Sequence, residues 1–419
     1  MSKISDSINY KNIVCPFCSL HCDDIDLDIN DNKIHIKSDI SASCKEKFEK
    51  NNSPTINKVS PMVNGKASNF SNALKKAKQI VKNSNESVIL NASSDVSIAR
   101  EMLTTSSKIN SIYDHVNSGT FLKNLSIYQR KGFMCTSLSE IKNKSDVIVL
   151  FSNSILKKYP RLITRILAPE NSFSINPKKK EIYIIGNKKN NVKDSSIKDS
   201  RITYIDFNNK DIPKLLDCLT EKVNRSKLSN KIFNNLAKSI DDSKYLSMIW
   251  GTSEFMKLNS CDEIINHISD YVLSINETSR AACLTLAGNE GDVSSIQTSG
   301  WLTGFPSRIK FTGNYFEYDR DLYNTESLIE SNNIDLAIYI NAISNKKLYL
   351  NKKNKNIVIG HPSTKFNIQP HVFLPCGIPG IDYKGLIFRT DNVVSLPLSS
   401  IKIPTYRSVQ EILRGITSL

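Results

Sequence analysis

The strongest restriction on what this chain can become is a pattern that repeats along most of its length, in which short unbroken apolar runs alternate with segments of helical spacing. Val147-Ile148-Val149-Leu150-Phe151, Ile182-Tyr183-Ile184-Ile185, Leu336-Ala337-Ile338-Tyr339-Ile340 and Ile357-Val358-Ile359 are such runs. A strand with one wet face alternates apolar and polar residues, whereas a strand buried on both faces reads as continuous apolar sequence. The runs predict strands over 88–90, 146–151, 181–185, 202–205, 334–340, 356–360 and 371–375, in parallel sheets covered by helices. Ser71 can cap a helix in which Ala73, Leu74, Ala77, Ile80 and Val81 keep the i, i+3, i+4 spacing, and 95–108, 160–167 and 212–223 read as further helices. The expected fold class is α/β with two similar doubly wound lobes. Such sheets bind ligands beyond the carboxyl ends of their strands, which directs attention to the loops after Phe151, Ile185, Ile340, Gly360 and Pro375.

With 419 residues the chain can bury a large core and divide into two or three lobes. Its 56 Lys and Arg against 41 Asp and Glu give a formal charge of +15. The lysines are spread through Asn-, Ile- and Ser-rich sequence, and clusters such as Lys178-Lys179-Lys180 lie beside Asn-rich loops, as solvated surface does. No zinc-finger, helix-turn-helix or RNA-binding pattern accompanies the charge, so nucleic acid is not expected as a partner. No apolar run approaches the roughly 18 residues of a membrane span. The residues up to Tyr10 are polar and lack a signal core, so a cytoplasmic location without membrane attachment is expected.

Of nine cysteines, four form a set: Cys15, Cys18 and Cys22 in Cys15-Pro16-Phe17-Cys18-Ser19-Leu20-His21-Cys22, and Cys44. Between them Ile25, Leu27 and Ile29 alternate with acids, 30–33 reads as a turn, and Ile34 and Ile36 resume the alternation. That hairpin carries the chain out and back, returning Cys44 to the triplet. Four thiolates suit a four-iron, four-sulfur cluster or a structural zinc ion. The uneven C-x2-C-x3-C spacing favours the cluster, since zinc sites more often pair two C-x2-C knuckles. Residues 1–58 are thus expected to form a small lobe around a metal centre.

Several segments, in this order, resemble one family: CPFCSLHCDDIDLDI at 15–29, CTSLSEIKNKSDVIVLF at 135–151, Tyr159-Pro160-Arg161, GNEGDVSSIQTSGWLTGFPSRIKFTGNY at 288–315 and HVFLPCGIPGIDYKGLIFRTDNV at 371–393. The family is the B subunit of formylmethanofuran dehydrogenase, with its homologue in the methylotroph formyltransferase/hydrolase complex. The resemblance implies a fold like that of molybdopterin-dependent formate dehydrogenases, with an N-terminal cluster lobe (1–58), a first α/β lobe (59–110 with 246–419) and an inserted second α/β lobe (111–245). It implies that Cys15, Cys18, Cys22 and Cys44 are the cluster ligands and that Lys45 lies between cluster and pterin.

Departures from the family pattern carry more weight. Where the dehydrogenases ligate molybdenum or tungsten through cysteine, this chain reads Asp114-His115-Val116-Asn117-Ser118-Gly119-Thr120-Phe121, and the ligand position falls near Thr120. A neutral hydroxyl does not replace a soft thiolate on such a metal. The pterin loops read Ser152-Asn153-Ser154-Ile155 where relatives carry Gly-x-Asn-Pro, and Gly186-Asn187-Lys188 where they carry Asp-Pro-Arg, so the pterin is expected to be lost. Gly288, Gly291, Gly300, Gly304 and Gly313 are read as shaping turns, with Trp301 anchoring an interface between lobes. The resemblance then implies a non-redox scaffold in a hetero-oligomer with the A, C and D subunits. In that complex a formyl group passes from tetrahydromethanopterin to a methanofuran-type carrier and is hydrolysed to formate, the hydrolase site belonging to A and the transferase to D. The alternative is a redox-active dehydrogenase subunit with a molybdenum or tungsten pterin.

Overall fold

The computed structural model describes residues 7–53, 56–151, 155–186, 199–220, 231–256 and 258–418. The chain divides into two compact units, Met1–Gly119 with Asn289–Leu419, and Thr120–Gly288. Both are α/β, as the apolar runs predict.

The first unit is built on a nine-stranded mixed sheet. Its centre is parallel: Ile112–His115, Ser87–Ser93, Leu336–Asn341, Lys355–Gly360 and Val372–Pro375 lie side by side in that order. Ile89, Ile338, Ile340 and Ile359 are wholly buried, and each such side chain contributes about 1.5–3 kcal/mol on leaving water. Antiparallel strands extend both ends of the sheet, Ile309–Thr312 and Tyr315–Tyr318 at one and Met62–Val63 and Lys66–Ala67 at the other. Helices Phe70–Lys82, Val96–Lys108 and Val409–Thr417 pack together beside it. The first of these is capped not by Ser71 but by Asn69, whose side chain accepts a hydrogen bond from the Asn72 N–H at 2.8 Å. Asp95 caps the second by accepting from Ile98 N–H at 3.0 Å.

The second unit carries a five-stranded, wholly parallel sheet in the order Ile202–Asp206, Glu181–Gly186, Val147–Phe151, Tyr245–Gly251, Arg280–Leu286. This pairing moves the insert from the expected 111–245 to 120–288. Tyr245–Gly251, read with 246–419 as part of the first lobe, pairs directly with Val147–Phe151. The helix expected over 160–167 is a π-helix, Ile163–Leu167, preceded by a short α-helix, Ile155–Lys158. The helix at 212 runs Ile212–Thr220; the rest of the span expected to 223 lies outside the described residues. Among the described residues no helix is long and apolar enough to cross a membrane.

Candidate metal centre

The N-terminal hairpin forms as its alternation predicts. Ile25–Asn30 pairs with Lys33–Ile36, and Asp31 and Asn32 take φ of 49° and 59°, the pair of positive values a two-residue type I′ turn needs. Leu27 and Ile34 point into a small core with Phe48, and Phe17 meets Phe48 edge-on at 5.0 Å. The returning chain enters helix Ala42–Glu49, which holds Cys44 in its first turn. Across the lobe, Cys15 N–H donates to Cys22 C=O at 2.8 Å and His21 N–H to Cys18 C=O at 3.0 Å, closing the triplet into a compact loop.

All four cysteines are buried and unbridged. Burial, reinforced by the neighbouring cysteines, pushes the Cys15 thiol well above its usual value. Burial and Cys22 push Cys18 up to about 12, opposed by the Lys47 ammonium. Buried thiols raised in this way, as Cys15 and Cys18 are, become thiolates only beside a compensating cation, which is what a metal centre provides. A single tetrahedral ion with Zn–S of about 2.3 Å needs its sulfurs within about 3.8 Å of one another. Among the described residues no group of three or more His, Cys, Asp or Glu is placed to hold one ion. A four-iron cluster binds each thiolate to a different iron and so accepts a wider set.

Two residues of the lobe escape sequence reasoning. Lys47 donates to Phe17 C=O at 3.0 Å and is the cation felt by Cys18, whereas Lys45, the expected basic residue, is half-buried with its N–H bonded to Ser41 C=O at 3.0 Å. Spacing holds the signal: Lys47 lies three residues after Cys44, on the same helical face. His21 has φ of 41°, and its Nδ1 lies 3.1 Å from Cys15 C=O, which accepts only, so Nδ1 carries the proton. Its buried Nε2 has no hydrogen-bond partner among the described residues.

The cysteine loop abuts the turn before helix Asp292–Thr303. Ser19 Oγ donates to Asn289 C=O, and Thr390 N–H donates to Ser19 C=O at 2.8 Å. In that turn Gly291 has φ of 81°, and a Cβ there would stand 1.9 Å from Ser94 O. Ser94 follows the central strand Ser87–Ser93, so the turn closes onto the carboxyl end of the sheet at its switch point. Ser93 Oγ donates to Asn341 Oδ1 at 2.8 Å across the same point. Gly304 and Gly313 likewise sit at positive φ in turns. Trp301 packs edge-on against Phe388 at 5.3 Å within the first unit and stays 58% exposed.

Segment 114–121, which the resemblance marks as the metal-ligand position, is closed by polar contacts. Asn117 N–H donates to His115 Nδ1 at 3.1 Å, so the proton resides on Nε2, which donates to Asp292 Oδ1 at 2.9 Å. Asp292 Oδ2 accepts from Asn117 Nδ2 at 2.9 Å and Asn289 N–H at 2.8 Å. Asp114, whose carboxyl burial pushes upward, accepts from Thr325 Oγ1 at 2.6 Å and His115 N–H at 2.7 Å. Both ring nitrogens of His115 are therefore engaged. Thr120 opens the second unit, and its carbonyl accepts from Asn124 Nδ2 at 2.9 Å. Residues 152–154 and 187–188 of the two altered pterin loops lie outside the described residues.

These features define a class: an α/β chain of two compact units, one carrying a mixed sheet with a small antiparallel sheet beside the cysteines, the other a parallel sheet. The resemblance read from sequence is borne out within that class. The chain is 19% identical over 414 residues to the B subunit of the tungsten-containing formylmethanofuran dehydrogenase 2 of Methanococcus maripaludis, covering 94% of each. It is 17% identical over 400 residues to the protein of the same name from Methanocaldococcus jannaschii, covering 91% of this chain and 92% of that one. Among solved structures it shares its fold with a chain of the formyltransferase/hydrolase complex (FhcABCD) from Methylorubrum extorquens in complex with methylofuran. That match has a TM-score of 0.67 and 18% identity, covering 85% of this chain and 98% of the other. No protein-family model matches the chain.

Proposed function

We propose that this chain is the B subunit of a formyltransferase/hydrolase complex of the formylmethanofuran dehydrogenase type, a scaffold for the partner A, C and D subunits in tetrahydromethanopterin-linked one-carbon metabolism in the cytoplasm. On this reading the complex moves a formyl group to a methanofuran-type carrier and releases it as formate, with the chemistry on A and D. The observation that carries the reading is the fold match to nearly the whole of one chain of such a complex. The finer architecture follows the same likeness: a cluster lobe and two doubly wound lobes, as in formate dehydrogenase-like proteins. Cys15, Cys18, Cys22 and Cys44 hold a four-iron, four-sulfur cluster, with Lys47, and Lys45 on the same helix, as the basic residues beside it. When bound, the cluster would supply a cationic inorganic core that offsets part of the charge of four thiolates and braces the lobe.

The chain lacks the molybdenum or tungsten pterin on this reading. Support comes from the Thr120 segment, which contains no soft ligand and whose His115 is held by Asn117 and Asp292. The redox-active alternative draws on the two relatives being tungsten-containing dehydrogenases. The test is to coexpress the chain with the A, C and D subunits and assay formyl transfer and hydrolysis. A stable complex that makes formate without an electron acceptor supports the scaffold. Formate or carbon dioxide turnover that demands an electron carrier overturns it.

A further inference from the structure

The two ends of the nine-stranded sheet are finished differently. One ends in Lys66–Ala67, a two-residue strand with an exposed lysine, which is how proteins blunt an open edge. The other ends in Tyr315–Tyr318, a four-residue strand with no lysine and three exposed residues, Tyr315, Phe316 and Glu317. Gly313, at φ of 62°, turns the hairpin so that Thr312 faces Tyr315 and Phe311 faces Phe316. Phe316 and Tyr318 share one face of the strand and pack with Phe305 and Phe311, Phe305 stacking on Tyr318 at 4.6 Å. By the two-residue period Tyr315 and Glu317 occupy the opposite face. Tyr315 is 83% exposed there, and Leu322, just beyond the strand, is 61% exposed.

Charge singles out the same place. In a chain of +15, residues 313–330 hold five acidic residues, Glu317, Asp319, Asp321, Glu326 and Glu330, against Arg320 alone. An open strand edge offers backbone hydrogen bonds, its aromatic residues offer apolar area, and an acidic surround selects the sign of what approaches.

We propose that Tyr315–Tyr318 and the acidic turn after it form a docking site for an extended, basic segment of a partner subunit, added as a further strand of the sheet. This deepens the reading of the chain as one subunit of a complex and rests on it. Added strands gain backbone bonds along the edge, while Tyr315 and Leu322 supply the apolar contact and the carboxylates pair with lysine or arginine at the rim.

The test compares hydrogen exchange of the isolated chain with that of the chain coassembled with the A, C and D subunits. Amides of 313–330 are expected to slow by at least roughly tenfold on assembly. The Tyr315→Ser, Leu322→Ser double variant and, separately, Asp321→Lys are expected to weaken assembly by roughly tenfold or more, without change in the melting temperature of the isolated chain. Added salt is expected to weaken the wild-type complex and to matter less for Asp321→Lys. A complex that forms while 313–330 exchange as in the isolated chain overturns the docking site and leaves the functional reading standing. Failure of the wild-type chain to assemble with A, C and D overturns both. Self-association of the isolated chain that Tyr315→Ser abolishes assigns the edge to a second copy and overturns the partner assignment.

Discussion

Gly291 is the residue whose backbone decides how the cysteine loop and the central sheet meet. Its φ of 81° and the 1.9 Å approach of any Cβ to Ser94 O leave no space for a side chain. Gly291→Ala is expected to cost on the order of 3 kcal/mol in denaturant unfolding, and a loss below about 1 kcal/mol would contradict this packing. His361 carries a second prediction. Burial pushes it from 6.5 down to about 4, and its Nδ1 accepts from Ser363 N–H at 2.9 Å. The unfolded chain takes up this proton first, so the stability contributed by the neutral ring is complete above about pH 6.5 and is lost as pH falls towards 4. The full span is worth roughly 3 kcal/mol. His361→Asn, whose Oδ1 can accept the same bond, is expected to flatten stability between those pH values. An unchanged slope would show that other groups govern it. Asp292 offers a third: it holds His115 through one oxygen and two further donors through the other, so Asp292→Ala is expected to cost about 2–3 kcal/mol by stranding buried donors.

At the scale of elements, much is legible in the sequence, and the failures have physical causes. Unbroken apolar runs mark the buried parallel strands because both faces of each are covered, and alternation marks the hairpin Ile25–Asn30 with Lys33–Ile36 because one face is wet. What such runs do not contain is their neighbour. Tyr245–Gly251 is as apolar as any central strand, and nothing local tells which sheet it joins, so sequence alone places the insert too early. The helix cap moves from Ser71 to Asn69 because either side chain can accept a first-turn N–H, and the backbone direction at entry decides. Spacing groups the four cysteines, yet Lys47 escapes because helix rotation, not nearness in sequence, brings its side chain to the Phe17 carbonyl and the Cys18 thiol. The lobe gives its own prediction: in the assembled complex Cys44→Ser is expected to lose most of its iron, while Cys135→Ser, outside the set, retains it. Equal iron in both variants would remove Cys44 from the ligand set.

At the scale of the whole molecule, four buried cysteines near the N-terminus stand in the same unit as the polar contacts of His115, Asn117 and Asp292. A shared fold does not fix function, since one scaffold serves active and inactive members, and the chemistry of individual residues has to decide. The cysteine quartet argues for iron, and the Thr120 segment argues against tungsten or molybdenum. Metal analysis by inductively coupled plasma spectrometry on the anaerobically purified complex, read with its visible absorption spectrum, separates these claims in one measurement. The account predicts about four irons per chain, broad absorption near roughly 400 nm, and no tungsten or molybdenum. Stoichiometric tungsten or molybdenum would contradict it and restore a redox centre to this chain.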